Sequence, residues 1–262
     1  AVCKRLLAEF GIKVGSYVTM IGGVEASLPA DPPPDEYRRR FEAAEESEVR
    51  CPDRAASDAM RERVREAIRA RDTLGGVFEV VALGVPPGLG SHVHYDRKLD
   101  GRLMGTIGSI QAIKGVEIGP AFENAARLGT EIHDPIVRDE RGNLTRPSNR
   151  AGGFEGGITT GQPVVVRAAM KPLSSTLNPL PTVDLATGEP TGAVYERSDT
   201  CAVPRAAVVG EAMVAFVLAD ALLEKLGGDS LEEIRPRFEA LRRSHLDDLP
   251  MDNRPWRFGY EG

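Results

Sequence analysis

Residues 206–226 read AAVVGEAMVAFVLADALLEKL and form the most apolar long segment of the chain. Pro204 suits the first turn of a helix, and Gly227-Gly228 suits its C-terminal end. Three acidic residues interrupt the segment: Glu211, Asp220 and Glu224. Because a membrane-spanning helix needs about 20 consecutive, mostly uncharged residues, we predict a buried helix of a soluble protein.

Two β-rich segments upstream of this helix predict strands. They are VFEVVALG at 77–84, which follows Gly75-Gly76, and PVVVRAAM at 163–170. A further strand is expected at 13–24, and a helix at 97–113. Because short strands and helices alternate without the regular repeat of a doubly wound sheet, the predicted fold class is α+β.

Two polar stretches are expected to lie at the surface. Residues 35–72 are densely charged and predict a solvated helix. A four-residue spacing gives this helix its narrow apolar seam: Met60, Val64 and Ile68. Residues 129–150 are polar and lack periodicity, so they predict an irregular surface loop.

The composition is that of an ordinary globular protein. The chain has 262 residues, of which 41% are hydrophobic and 27% charged, which is enough for a sizeable core. Its 33 basic and 39 acidic residues give a net charge of -6, and aromatic residues make up 5%. A nucleic-acid-binding surface normally carries the opposite charge and aromatic stacking residues, so no nucleic-acid partner is expected.

The cysteines and the first residues bear on the cellular compartment. Cys3, Cys51 and Cys201 lie far apart and form no CxxC pair. Their number and spacing disfavour a disulfide framework or a zinc knuckle and fit a reducing cytosol. Because the opening residues AVCKRLLAEFGI show no recognisable signal peptide, we expect a cytoplasmic protein with no membrane partner.

A glycine-rich stretch and a pair of histidines are the first candidates for chemistry. AGGFEGGITTGQ, at 151–162, lacks the GxGxxG spacing and precedes a strand, which disfavours a dinucleotide-binding turn. Its backbone N–H groups could approach a flat ring or a phosphate, or the stretch is a tight loop without a ligand. His92 and His94, with Asp96, could begin a metal site, or His92 is simply a loop hydrogen-bond donor.

Two polar clusters follow strands. Lys171, Ser174 and Ser175 offer an amine and two hydroxyls that could hold a phosphate, or they form an ordinary edge turn. Arg197 and Asp199 are two residues apart, which in an extended segment places both side chains on one side. That arrangement sets guanidinium donors beside a carboxylate, either for a ligand or as a structural salt bridge.

Four segments, in order, resemble signature segments of the chorismate synthase family. They are GLGSHVHYDRKLDGRL (88–103), GSIQAIKGVEIG (108–119), SNRAGGFEGGITTGQPVVVRAAMKP (148–172) and RSDTCAVPRAAVVGEAM (197–213). The resemblance extends from the first residues to about residue 229. It departs from the family's pattern at Thr200, where Pro, Ser or Val is usual. In KPLSS, Leu173 and Ser175 differ from the family's KPIST.

The resemblance implies a fold and an activity. The family fold is a β-α-β sandwich, with helices packed between antiparallel sheets, and the enzyme is a homotetramer. Its reaction is the 1,4-anti elimination of phosphate from 5-enolpyruvylshikimate 3-phosphate, which gives chorismate with reduced FMN and no net redox change. Such chemistry requires a dry pocket, cations for a polyanionic substrate and a group that manages the proton on flavin N5.

Site residues are implied by position in the matching segments. Asp199 matches the carboxylate implicated in deprotonating flavin N5 and is the expected catalytic residue. Arg197 is expected to contact both the flavin and the substrate. The other expected FMN-binding residues are Gln111, Ala112, Gly156, Lys171, Pro172, Leu173, Ser174 and Ser175. No metal site is implied.

The family's N-terminal motifs are not found in this sequence. They are a GESHG-like motif, a Ser-Ala-Arg motif, several substrate-binding arginines and two proton-transfer histidines; His92 and His94 match a different, later motif. We expect residues 1–249 to form a partial chorismate synthase domain, with a tail at 250–262, and the isolated chain to give no turnover. The alternatives are a non-catalytic flavin-binding remnant of the family and a metal-dependent hydrolase that uses His92 and His94.

Overall fold

Helices and short strands alternate along the chain, whose computed structural model describes residues 1–30 and 32–241. Within these residues the helices are α1 (Val2–Ala8), α2 (Pro34–Glu46), α3 (Arg54–Arg69), α4 (Leu99–Gly108), α5 (Ala121–Asn124), α6 (Gly129–Ile132), α7 (Val203–Leu226) and α8 (Leu231–Glu239). The strands are β1 (Lys13–Ile21), β2 (Val24–Glu25), β3 (Gly76–Leu83), β4 (Ile113–Ile118), β5 (Val137–Arg138), β6 (Leu144–Thr145), β7 (Phe154–Glu155), β8 (Ile158–Thr159), β9 (Val164–Met170), β10 (Pro181–Val183) and β11 (Pro190–Gly192). The predicted boundary between domain and tail, at 249–250, lies outside the described residues.

Five strands form one antiparallel sheet in the order β2-β1-β3-β9-β4. At its centre, Val80 of β3 pairs with Val166 of β9. The predicted strand at 13–24 is divided, because Gly22 and Gly23 have φ angles of 56° and 86° and turn the chain into β2. The predicted strands at 77–84 and 163–170 correspond to β3 and β9. The sheet and its helices confirm the α+β class.

The inner face of the sheet packs against α1, α4 and α7. Phe78 and Val80 of β3 are fully buried there. α7 approaches so closely that a Cβ on Gly210 would lie 2.8 Å from Phe78 Cε2 and 3.0 Å from Val80 Cγ2. The described residues thus contain the helical layer of the expected sandwich on one large sheet, and its second large sheet is not among them.

The predicted buried helix is confirmed as α7. Among the described residues, α7 alone is long and apolar enough to cross a membrane, yet most of it is buried inside the protein. Gly227, with a φ angle of 61°, follows its last residue, and Pro204 lies in its first turn, as predicted. This burial is typical of the core helix of a globular protein.

α4 is shorter than the predicted helix at 97–113. A 3-10 turn covers Tyr95–Arg97, and α4 begins at Leu99, whose N–H donates to the carbonyl of Gly157 at 2.9 Å. Its buried face consists of Leu99, Leu103 and Ile107. The helix gives way to a turn at 109–112, where Ala112 adopts a left-handed conformation with φ 67°.

The charged stretch at 35–72 forms two helices, α2 and α3, and not one. α2 covers the outer face of the sheet, where Tyr37 and Phe41 pack against Tyr17 of β1 and Val165 of β9. Met60 of α3 is fully buried as predicted, but Ile68 is exposed, so the apolar seam ends before the last turn.

A buried carboxylate ties α7 to the first strand and the first helix. Glu211 accepts hydrogen bonds from Ser16 Oγ at 2.7 Å and from an Arg50 guanidinium nitrogen at 3.2 Å. Lys4 of α1 forms an ion pair with its second oxygen. Glu211 and Ser16 are almost completely buried, whereas Lys4 is partly exposed, so the carboxylate is buried and one of its cationic partners reaches the surface.

The stretch at 129–150 is more ordered than the predicted irregular loop. It contains α6 and the small β5–β6 hairpin. The buried Asp134 carboxylate anchors its far end by accepting hydrogen bonds from Ser148 Oγ at 2.5 Å and from the backbone N–H groups of Arg150 and Ala151, each at 2.8 Å. Neither the polarity nor the periodicity of the sequence predicts that Asp134 accepts these three hydrogen bonds.

The stability of this fold is expected to fall between pH 9 and 11. Burial raises the pKa of the Cys51 thiol from 9.0 to about 11, and this side chain is only 2% exposed. The unfolded chain therefore releases this proton at lower pH than the folded one, so stabilisation present below pH 9 is lost as the pH rises towards 11. By pH 10.5 we expect a loss of roughly 2 kcal/mol from this group.

Urea unfolding at pH 8.5 and 10.5 measures the loss, and Cys51→Ala is the control because it removes the titrating thiol. The wild type should lose more stability than Cys51→Ala over this interval. An equal loss in the two proteins would contradict the assignment.

Candidate functional site

Two of the expected cofactor segments meet at the end of β9. The backbone N–H of Lys171 donates to the carbonyl of Ala112 at 2.9 Å. The left-handed conformation of Ala112 is one that residues with a Cβ rarely adopt. It stands in a sparsely populated backbone region, as residues at functional sites often do. The turn that carries Gln111 therefore lies directly beside the Lys171–Ser175 loop.

The third expected segment joins the other end of the same loop. Ser175 Oγ donates to the carbonyl of Glu196 at 2.6 Å and accepts from its N–H at 2.8 Å. Ser198 Oγ donates back to the carbonyl of Ser175 at 3.0 Å. Because these bonds use the Ser175 hydroxyl, this side chain holds Arg197 and Asp199 beside the loop.

Several polar groups at this junction have no partner among the described residues. The side chains of Lys171 and Arg197 are exposed and form no ion pair with any of them, and the hydroxyl of Ser174 makes no hydrogen bond there. Among the other described residues, most arginines pair with a carboxylate, as Arg102 does with Asp220 and Glu224, whereas most lysines do not. Two unpaired cations and a free hydroxyl suit a phosphate-bearing ligand.

Asp199 has a different partner from the one that the sequence pattern favours. Its carboxylate forms an ion pair with Arg205, which lies in the first turn of α7, and no bond joins it to Arg197. The salt bridge considered between Arg197 and Asp199 is therefore not formed, because Arg205 pairs with Asp199 instead. Arg197 is left free to contact a ligand.

Gly156 lies away from the other expected residues. Together with Gly157 it forms the turn of the β7–β8 hairpin, with φ angles of 63° and 89°, as in the tightest hairpin turns. This hairpin contacts the first residue of α4, whereas Gln111 follows its last turn. At a rise of 1.5 Å per residue, the ten residues of α4 place the hairpin and Gln111 about 15 Å apart. No atom lies within 4 Å of a Cβ built on Gly156, so its tip is open.

The histidines of the alternative metal site are exposed. His92 and His94 lie with Asp96 in the segment before α4. Within the described part of the chain, no group of three or more His, Cys, Asp and Glu side chains is placed to hold a metal ion. Nothing in this geometry supports a hydrolase that uses them.

A small cavity beside the junction is lined in part by residues that the sequence pattern does not single out. It has a volume of about 80 Å³ and is bounded by Ser175, Ser198 and Asp199 on one side and by Arg71, Asp72 and Thr73 on the other. The last three connect α3 to β3, and Arg71 has a φ angle of 59°. Left-handed residues at the end of a helix are usually glycine, so no pattern of residue types marks this turn.

A second cavity, of about 190 Å³, lies on the outer face of the sheet. The buried Arg40 guanidinium donates there to the Tyr17 hydroxyl at 3.1 Å, and this hydroxyl donates to Glu79 at 2.5 Å. Burial raises the pKa of Tyr17 well above its usual value, and the Glu79 carboxylate raises it further. None of the expected cofactor residues lines this cavity.

The chain is similar in sequence to proteins of one known family. A family model described as chorismate synthase matches residues 1–223. The chorismate synthase of Aquifex aeolicus is 52% identical over 243 residues, covering 91% of this chain and 61% of that protein. That of Saccharopolyspora erythraea is 55% identical over 240 residues, covering 91% of this chain and 59% of that protein.

A solved structure has the same fold. A crystal structure of chorismate synthase superposes with a TM-score of 0.78 and 48% sequence identity, covering 91% of this chain and 65% of that one. The expected family fold is therefore confirmed. The chain spans about three fifths of the length of the curated relatives it matches.

Proposed function

The chain belongs to the chorismate synthase family, and on this premise we propose that it carries the flavin-binding part of an enzyme that converts 5-enolpyruvylshikimate 3-phosphate to chorismate. The reaction is the 1,4-anti elimination of phosphate, and reduced FMN is the cofactor. One observation carries the proposal: Gln111–Ala112, the Lys171–Ser175 loop and Arg197–Asp199 form one junction that holds two unpaired cations.

The residues present fit FMN and an anionic substrate. Lys171 and Arg197 offer positive charge to phosphate oxygens, and Ser174 offers a hydroxyl. Gln111 and Ala112 add amide and carbonyl groups at the edge of the junction. We assign flavin binding to these residues and to Pro172, Leu173 and Ser175, with Gly156 as a contact from the β7–β8 hairpin.

Reduced FMN, when bound, would lend electron density as phosphate leaves and recover it as the ring hydrogen departs, so the reaction would need a flavin but involve no net change of oxidation state. Asp199 is the proposed acceptor of the proton at flavin N5. Its ion pair with Arg205 holds one carboxylate oxygen in place and leaves the other for that proton. Arg197 stabilises the negative charge of the departing phosphate and positions the substrate.

The junction is open to solvent in the described residues. Lys171, Pro172, Ser174 and Arg197 are all exposed. An elimination that builds up charge is favoured in a site from which water is excluded. We therefore propose that these residues form one wall of the site, that a homotetramer completes it, and that the 262-residue chain alone releases no phosphate.

Two further proposals concern the chain as a whole. We propose that residues 1–249 belong to one chorismate synthase domain followed by a tail, and that the protein works in the cytoplasm. The match of the family model to residues 1–223 supports the first proposal, and membership in a family of biosynthetic enzymes supports the second.

Titration of the 262-residue chain with FMN, oxidised and reduced, tests the proposed cofactor site through the change in flavin fluorescence or absorbance. Lys171→Ala is expected to weaken binding about 10- to 100-fold, because it removes a charge-assisted hydrogen bond to the phosphate. Lys225→Ala is the control, since Lys225 is an exposed lysine at the far end of α7.

No saturable binding by the wild type, or equal affinities for the two variants, would contradict the proposed site. An assay of phosphate release, with the substrate and reduced FMN, tests the proposal that the 262-residue chain alone is inactive. Measurable release would overturn that proposal.

A further inference from the structure

The turn between α3 and β3 contacts both ends of the proposed flavin site. We call residues 71–75, with sequence RDTLG, the α3–β3 connection. Within it, Thr73 Oγ1 donates to the carbonyl of Leu173 at 2.6 Å. The next residue, Leu74, donates its N–H to the carbonyl of Thr200 at 2.8 Å. Neighbouring residues of one turn thus hold the Lys171–Ser175 loop and the segment that carries Asp199.

The connection is itself held in one conformation. The N–H of Thr73 donates to Asp72 Oδ1 at 2.8 Å, and the N–H of Asp72 donates to the carbonyl of Ala67 at 2.9 Å. The loop that follows the site returns to the same helix end, where Asn178 Nδ2 donates to the carbonyl of Ala70 at 2.8 Å. The Thr73 hydroxyl therefore projects from a fixed turn towards the loop.

The bond to Leu173 has a direct geometric consequence for Ser174. In a trans peptide the carbonyl and the following N–H point in opposite directions. Because Thr73 holds the carbonyl of Leu173, the N–H of Ser174 points away from the connection. Neither this N–H nor the Ser174 hydroxyl has a hydrogen-bond partner among the described residues. Both donors are therefore free on the same exposed loop as Lys171.

We propose that Thr73 is a positioning residue, whose hydroxyl orients the Leu173–Ser174 peptide so that Ser174 and Lys171 together bind the phosphate group of the flavin. The inference rests on the proposed function, because it assigns a role within that same site. Thr73 does not touch the ligand. Without its hydroxyl, the Leu173 carbonyl loses its donor and the peptide is free to rotate.

Two substitutions and two ligands test this role in the 262-residue chain. Thr73→Val keeps the shape of the side chain and removes the hydroxyl, whereas Thr73→Ser keeps the hydroxyl. FMN and riboflavin share the ring system, but only FMN carries the phosphate. We expect Thr73→Val to weaken FMN binding about tenfold and Thr73→Ser to bind FMN as the wild type does. Riboflavin binding should be unchanged in both variants.

Thr19→Val is the matched control. Thr19 of β1 also donates its hydroxyl to a backbone carbonyl, that of Val77 at 3.3 Å, but it lies outside the proposed site. Thermal unfolding of all variants measures the purely structural effect, which we expect to be similar for the two valine variants. FMN binding should be unchanged in Thr19→Val.

The outcomes separate this inference from the proposed function. If the wild type fails to bind FMN, the proposed function is wrong and the role of Thr73 falls with it. If the wild type binds FMN and Thr73→Val binds it equally well, the positioning role alone is wrong. An equal loss of FMN and riboflavin affinity would also overturn it, since the effect would then not involve the phosphate.

Discussion

Gly75→Ala is expected to lower the free energy of unfolding by about 3 kcal/mol and to abolish FMN binding, because the backbone of Gly75 lies directly against the start of the flavin loop. A Cβ on Gly75 would lie 2.9 Å from the carbonyl carbon of Lys171 and 2.9 Å from Pro172 Cδ, and closer still to the carbonyl oxygen of Met170. Backbone atoms and a proline ring cannot rotate aside as a flexible side chain can. The loop must therefore shift, and with it Lys171.

Gly105→Ala is the matched control for this prediction. Gly105 lies within α4, and no atom comes within 4 Å of a Cβ built there. Alanine at that position should raise stability by roughly 0.5–1 kcal/mol, because glycine weakens a helix interior. Urea unfolding and FMN titration of both variants measure the two effects. A Gly75→Ala protein as stable as the wild type would show that the loop accommodates a methyl group.

Glu211→Ala is expected to destabilise the protein by about 3 kcal/mol. Removing one partner of a buried ion pair leaves the other charge without compensation, and measured losses are of the order of 3–5 kcal/mol. The buried Ser16 hydroxyl would lose its acceptor, and Arg50 would lose one of its two carboxylate partners and keep Glu45 at 2.8 Å. Because Lys4 is partly exposed and regains water, the lower end of the range is expected.

Glu224→Ala, on the same helix, is the control that separates the effect of burial on stability from the effect of charge. Glu224 forms an ion pair with Arg102 at 2.9 Å, but it is 43% exposed, and such surface pairs contribute at most about 1 kcal/mol. Chemical unfolding should therefore place the two variants about 2 kcal/mol or more apart. Equal losses would mean that the Glu211 network adds little to the core.

The most apolar elements were predictable from the sequence. α7, β3 and β9 are long apolar runs with glycine or proline at their ends, and the structure has them within a few residues of the predicted bounds. The predicted bounds were wrong where the conformation of a single turn sets the end of an element. Gly22 and Gly23 divide the strand at 13–24, and Ala112 ends the α4 region in a left-handed conformation that alanine rarely adopts.

The site was predictable only as a set of separate segments. The residues of the junction came from the resemblance to a family, and the contacts that join them run through backbone atoms. Thr73 reaches Leu173 across 100 positions of sequence, and Ser175 reaches Glu196 across 21. A carbonyl acceptor has no side-chain signature, so Thr73 and Gly75 could be recognised only from the fold. The ion pair of Asp199 with Arg205 could not be predicted for another reason. The position of Arg205 depends on the residue at which α7 begins.

The strand order has a consequence for how the chain is made. β1 and β3 come early in the sequence, but β9 and α7, which cover β3 at its edge and on its inner face, follow only at Val164–Met170 and Val203–Leu226. At a translation rate of about 5–20 residues per second, roughly 10 to 35 seconds separate the synthesis of β1 from that of α7. Once β3 has been made, and until β9 and α7 follow, the nascent chain exposes an unpaired strand edge and the apolar face around Phe78. Folding must wait for distant contacts, as in other chains with a high contact order. The emerging polypeptide therefore presents a target for chaperones on the ribosome.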